Sequence, residues 1–218
     1  MINYDTYDIH MIVMSKHPIS QMYSRITIPS WEKLNYKINL FEAVTPKDLY
    51  KKTKLDFAMK ESKSGVRPFT GTEKAVWYSH FELWCLCATK HTPIVIIEHD
   101  SLLKKELPDF KGHGYKLLSY MDRDFGPKGK ALAAGSGYYI TPELAHRLIA
   151  LAVASEIDQN SDGFIASVCN IKKQHQMRDY FYIEQINIDG LNTIDHKNPN
   201  RNYVGLDYEE IDISSIHG

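Results

Sequence analysis

Ile94-Val95-Ile96-Ile97-Glu98-His99-Asp100 is the stretch on which the reading of this chain turns. Four β-branched residues in succession, with Pro93 in front and charge behind, read as a short central strand buried on both faces. The residues before it read as a helix. From Thr70 to Thr89, the positions Val76, His80, Leu83, Trp84 and Cys87 recur at helical spacing. Thr70 or Thr72 can cap its start, Glu73 suits its first turn, and Thr92-Pro93 stops it. Further upstream, Ile9 to Met14 is an apolar run that reads as a buried parallel strand. A short helix follows from about Ser20, behind Pro18, and Tyr36 to Phe41 alternates as a second strand. That order is the β-α-β opening of a nucleotide-binding α/β domain.

Downstream, Leu102 to Phe110 reads as a short amphipathic piece, Tyr115 to Met121 as a strand, and Asp122 to Lys130 as a loop marked by Gly126, Pro127 and Gly129. Gly137-Tyr138-Tyr139-Ile140 leads into Thr141-Pro142-Glu143, where Thr as cap and Pro at the first position open a helix reaching about Ser155. Asn160 to Gly163 punctuates, and Phe164 to Lys172 reads as a further helix. The lysine-rich stretch Thr45 to Ser64 reads as a solvated loop and helix surface, or as a basic flank for an anionic substrate. The expected organisation is one catalytic domain over residues 1–196, with residues 197–218 a polar tail.

The acidic end of the central strand has two readings. Carboxylates at the carboxyl end of a buried strand are costly unless something offsets them. Mg²⁺ or Mn²⁺ does so, because hard divalent ions take carboxylate oxygens, and ligands of open α/β sheets bind at this end. In the other reading the strand simply exits to solvent and caps the next helix. The local pattern leaves both open.

Composition narrows the field modestly. At 218 residues, 43% hydrophobic and 24% charged, the chain can bury a core without staples and reads as a soluble globular protein. A net charge of −1 gives no global footprint for nucleic acid or anionic membrane. Cys85, Cys87 and Cys169 are odd in number and read as reduced thiols, which suits a cytoplasmic setting. No apolar run approaches the roughly 20 residues that span a bilayer, and the first residues lack signal-peptide character.

The motifs in order resemble glycosyltransferase family 25, which includes lipopolysaccharide and collagen galactosyltransferases. The resemblance is carried by Arg67-Pro68-Phe69-Thr70-Gly71-Thr72-Glu73, by Tyr78-Ser79-His80-Phe81-Glu82-Leu83-Trp84, and by the strand ending in Glu98-His99-Asp100. Gly135-Ser136-Gly137-Tyr138-Tyr139-Ile140, Asp162 and the segment Gly190 to His196 continue it, over roughly residues 8 to 196. Two positions depart from the family pattern. His99 stands where the acidic motif has aspartate, removing one negative charge, and Thr72 stands where the turn has glycine.

The resemblance implies an α/β fold of the GT-A nucleotide-diphosphosugar transferase type, with a mixed central sheet flanked by helices. It implies a hexosyl- or pentosyltransferase using Mn²⁺ (or Mg²⁺) and a nucleotide-sugar donor, often UDP-linked. Asp100 is then a metal ligand, Glu98 a ligand or the group that holds the ribose or a metal-bound water, and His196 the residue that completes the metal site. Ser15, Arg25, Glu73, Gly135 and Gly137 become candidate donor contacts. Asp162 becomes the general base for the acceptor hydroxyl, unless it merely caps its helix, with Glu184 and Asp189 as further acidic candidates. The default acceptor is a saccharide of a surface glycolipid. Hydroxymethylated pyrimidines in phage DNA are an alternative, and a sugar-nucleotide-binding module without turnover is the rival that His99 supports. Ser79 and His80, adjacent on a helix, do not form a nucleophile and base; His80 reads as a buried support for the strand bearing Glu98.

Overall fold

The computed structural model describes residues 7–52, 69–110, 112, 114–119, 121–124, 130–133, 136–155, 157, 159–169 and 182–186. In chain order the elements are β1 (Asp8–Val13), α1 (Pro18–Glu32), β2 (Ile38–Glu42), α2 (Pro46–Lys52), α3 (Gly71–Lys90), β3 (Ile94–Glu98) and β4 (Ser101–Leu103). They continue as β5 (Tyr115–Leu117), β6 (Met121–Asp124), β7 (Lys130–Ala133), β8 (Gly137–Ile140), α4 (Pro142–Ala154), α5 (Ser161–Cys169) and β9 (Ile183–Gln185). The main sheet has five strands in the order β2-β1-β3-β8-β5. β1 runs parallel to both β2 and β3, whereas β8 is antiparallel to β3 and β5. This is an α/β protein with a mixed central sheet flanked by helices, consistent with a GT-A-like fold. The Ile94 run is indeed its middle strand.

Strand alternation divides the core into two layers. Ile94 and Ile96 of β3, with Tyr138 and Ile140 of β8, pack on Trp77, Phe81 and Trp84 of α3 and on Leu148 and Ile165 beyond. Val95 and Ile97, with Tyr139, face the opposite way onto Trp31, Tyr36, Phe110 and Ile183. Trp77 and Trp84, seven residues apart, meet edge to face at 5.5 Å and are fully buried. Burial pushes the Cys87 and Cys169 thiols up to about 12, which keeps them protonated and inert.

α3 begins with a complete capping box. Thr70 Oγ1 accepts the Glu73 N–H at 3.2 Å, and the Glu73 carboxylate accepts the Thr70 N–H at 2.9 Å. Thr70→Ala should therefore cost about 1 kcal/mol, and lower the melting temperature by roughly 2–4 °C in a chain of this size, as thermal denaturation would read.

Some boundaries differ from the sequence reading. α1 starts at Pro18, because proline is accepted at a first helical position, and it continues past Pro29. The piece predicted as amphipathic from Leu102 is the short strand β4, paired with β9. The segment read as a loop from Asp122 to Lys130 overlaps the end of β6 and the first residue of β7, an antiparallel pair. The tail 197–218 lies outside the described residues, as does most of the lysine-rich stretch.

Candidate active site

β1 and β3 are parallel, with Ile12 opposite Glu98, so the turns leaving both strands open at the same end of the sheet. The Glu98-His99-Asp100 turn is fixed there by backbone hydrogen bonds. The Glu98 N–H reaches Ser136 O at 2.8 Å and Ser101 Oγ at 3.2 Å. Ser101 Oγ–H in turn donates to Ser136 O at 2.6 Å. The next three carbonyls are all taken: His99 O accepts from Thr27 Oγ1 (2.7 Å), Asp100 O from Ile186 N (2.9 Å) and Ser101 O from Trp31 Nε1 (2.8 Å). Tyr23, Thr27 and Trp31 are the buried stripe of α1, spaced four apart, so one helix face clamps the turn. The result is a rigid mount for two carboxylates.

The carboxylates themselves are not neutralised. Asp100 Oδ2 accepts from Gln185 Nε2 at 2.9 Å, but Oδ1 is buried with no hydrogen-bond partner. Burial, then the charge of Asp100, pushes the Glu98 carboxyl up to about 7. Solvent reaches 31% of the Glu98 side chain, which tempers that push. Burial also raises Asp100, against the charge of His99 and the Gln185 hydrogen bond, which lower it. Two such groups, close enough to resist each other's ionisation, fit a hard divalent ion in charge and donor type. Among the described residues no group of three or more His, Cys, Asp or Glu gathers to hold one. His196 lies outside the described residues.

These shifts have a sign. A carboxyl raised from 4.5 in the unfolded chain to about 7 stabilises the fold below pH 4.5 and loses that contribution as pH rises to 7. His80 acts oppositely. Burial holds it down at about 4, so its contribution is present above 6.5 and lost as pH falls. Comparison with Glu98→Gln isolates the carboxyl. Wild type should lose melting temperature relative to Glu98→Gln from pH 4.5 to 7. Parallel curves for the two proteins would contradict a raised Glu98.

Residues 20–119 match the family model of glycosyltransferase family 25 (LPS biosynthesis protein). The match runs from α1 through α3 and β3 to just beyond β5, so it includes both the clamp and the acidic turn. Over this segment the chain is similar to glycosyltransferase family 25, the family its motifs resemble. It is a glycosyltransferase, an enzyme that moves a sugar from an activated donor to an acceptor. No curated protein matches the chain.

The glycosyltransferase brings some predicted residues to this end of the sheet and leaves others away from it. Ser15 lies in the turn after β1, exposed, its N–H bonded to the Glu42 carboxylate at 3.1 Å. Arg25 is exposed on α1. Glu73 spends its carboxylate on the capping box. Gly135, Asp189, Lys128 and Gly129 lie outside the described residues, and Lys130 opens β7. Gly137 is close-packed, but against protein: a Cβ there would meet Ile183 Cδ1 at 2.8 Å and Ile97 Cγ2 at 2.9 Å. The structure does not bring Glu184 to the acidic turn. Alternation along β9 sends it to solvent, where it pairs with Lys104 Nζ at 2.8 Å, and sends Gln185 to Asp100.

Asp162 sits in the first turn of α5. The cap there is Asn160, whose Oδ1 accepts the Gly163 N–H at 2.9 Å, so the capping role considered for Asp162 falls to its neighbour. The charge of Asp162 is felt by His80, Tyr115 and Tyr138, which places it beside the buried polar group behind Glu98. His99, the departure from the family pattern, is buried with its ring 5.7 Å from that of Tyr23. Sequence reasoning missed Gln185, Tyr138 and the serines 101 and 136. Only the Gly135 to Ile140 segment, which contains Ser136 and Tyr138, hinted at two of them.

Proposed function

We propose that this glycosyltransferase is metal-dependent and takes a nucleotide-diphosphosugar donor, UDP-linked, at the acidic end of β3. The observation that carries the reading is the buried, unpartnered Oδ1 of Asp100 beside the raised carboxyl of Glu98. A buried acceptor without a donor calls for an ion or a water. A divalent ion supplies charge that offsets the departing nucleotide diphosphate. Asp100 is its ligand. Glu98 assists from the ion or ribose side, and the clamp by Thr27 and Trp31 keeps both from reorganising during the reaction. His196, outside the described residues, would be the further ligand that the family resemblance implies. In this reading Ser15, in the turn after β1, and Arg25, exposed on α1, contact the nucleotide. Asp162 takes the proton of the acceptor hydroxyl.

The acceptor in this reading is a saccharide of a surface glycolipid, supported by the family's description as an LPS biosynthesis protein. No helix among the described residues is long and apolar enough to cross a membrane. The test is a panel of nucleotide sugars assayed for hydrolysis with Mn²⁺, Mg²⁺ or chelator, followed by saccharide acceptors with the best donor. Turnover of a UDP-sugar that ceases in chelator is the expected result. Binding of UDP with no turnover under any metal would instead make the chain a binding module.

A further inference from the structure

His80 is buried and has two ring nitrogens, and only one placement of its proton satisfies its neighbours. Nδ1 lies 2.9 Å from Tyr138 Oη, and Trp84 Nε1–H donates to the same oxygen at 2.9 Å. Tyr138 Oη has one hydrogen to give, while the indole can only donate. With the proton on Nδ1, both neighbours would donate to Oη, and the hydroxyl hydrogen would need a third group. The buried hydroxyl nearby, Tyr115 Oη, makes no hydrogen bond. A buried donor left unmade costs about 1–3 kcal/mol. With Nδ1 bare, the hydroxyl donates to it and accepts from Trp84, and every group is used. The proton of the neutral ring then sits on Nε2, which has no hydrogen-bond partner and lies 3.8 Å from Glu98 Oε1.

We propose that Tyr138 sets the tautomer of His80 so that its Nε2–H is aimed at the Glu98 carboxylate, making His80 a positioning residue of the donor site. This rests on the reading of Glu98 as a donor-side group. The two rings are stacked, 5.7 Å apart at 24°, so the imidazole cannot swing away from Glu98 without losing that contact. The gap of 3.8 Å is too long for a hydrogen bond, and closing it is a small motion of the Glu98 side chain, of the kind that tightens when a site is loaded. Alternation along β3 puts Glu98 on the same face as Ile94 and Ile96, towards α3, so it needs no other rotation of the strand.

The test uses the full chain labelled with ¹⁵N-histidine at neutral pH, with His80→Gln to assign the signal. Long-range proton–nitrogen spectra should show His80 with a protonated Nε2 and a bare Nδ1. Tyr138→Phe should move the population towards Nδ1–H. A protonated Nδ1 in wild type, or a tautomer indifferent to Tyr138→Phe, overturns the proposal whether or not any sugar is transferred. In turnover of a UDP-sugar with Mn²⁺, His80→Leu should lower kcat by roughly 10–100-fold. His80→Gln, which keeps an N–H donor, should recover part of it at a similar melting temperature. Equal kcat in the Leu and Gln variants also overturns it. Absence of turnover in wild type with every nucleotide sugar would sink the functional reading and leave the tautomer result standing.

Discussion

Asp100→Asn should lower metal-dependent turnover on the order of 10²–10³-fold while leaving the metal-free protein as stable as wild type or more so. The two effects share one cause. In wild type Asp100 keeps a buried oxygen without a partner, next to a carboxyl that its charge pushes upward. An amide keeps the acceptor for Gln185, removes the charge, and lets Glu98 ionise at lower pH. The amide nitrogen takes the unpartnered position, so no hydrogen bond is gained; relief of the buried charge is worth about 1–3 kcal/mol, or some 2–4 °C per kcal/mol in melting temperature. The loss is catalytic, since a neutral amide is a poor ligand for a hard ion and an electrostatic group removed from a rigid site commonly costs that factor. Measurement of kcat with Mn²⁺, with melting curves in chelator, separates this from misfolding. Unchanged turnover would move the ion away from Asp100. Lost turnover together with a lower melting temperature would mean that the carboxylate serves the fold.

The middle of the sheet was legible because its code is local. A β-branched run between Pro93 and Glu98 has few other fates, and the helix before it states its own start through Thr70 and Glu73. The two carboxylates were legible for the same reason, since charge at the end of a buried strand stands out. What surrounds them was not. Gln185 reaches Asp100 from a three-residue strand 85 positions away, too short to show alternation, so Glu184 beside it looked equally good. Tyr138 looked like another core aromatic, and its hydroxyl gains meaning only when α3 brings His80 and Trp84 to it. Asp162 was ambiguous between base and cap because its neighbours suit a cap as well, and it is Asn160 that makes it. His99 looked like a weakened ligand. Its contact with Tyr23 gives it a packing role as well, and that contact depends on where α1 lies.

Gly137→Ala should lower both stability and activity although its own backbone needs no unusual torsion. The added methyl would stand 2.8 Å from Ile183 Cδ1, 2.9 Å from Ile97 Cγ2 and 3.1 Å from the Ile96 carbonyl. The two side chains can give by a few tenths of an ångström, but the carbonyl belongs to the central strand and cannot move alone. Overpacking of this kind costs about 1–3 kcal/mol. The melting temperature should therefore fall by roughly 2–4 °C for each of those, and Gly137→Val should fall further. The functional consequence follows from position. Gly137 pairs with Ile97, and its neighbour Ser136 carries the carbonyl that accepts from both Glu98 N–H and Ser101 Oγ. If β8 yields outward, those two bonds lengthen and the acidic turn loses one side of its mount, so turnover should drop more than the lost stability accounts for at temperatures well below melting. Ile183→Val offers the check, because trimming Cδ1 removes the nearest clash. The double variant should regain stability relative to Gly137→Ala, and with it turnover. Recovery of stability without recovery of turnover would show that the methyl group blocks a ligand, and that the glycine serves the donor directly.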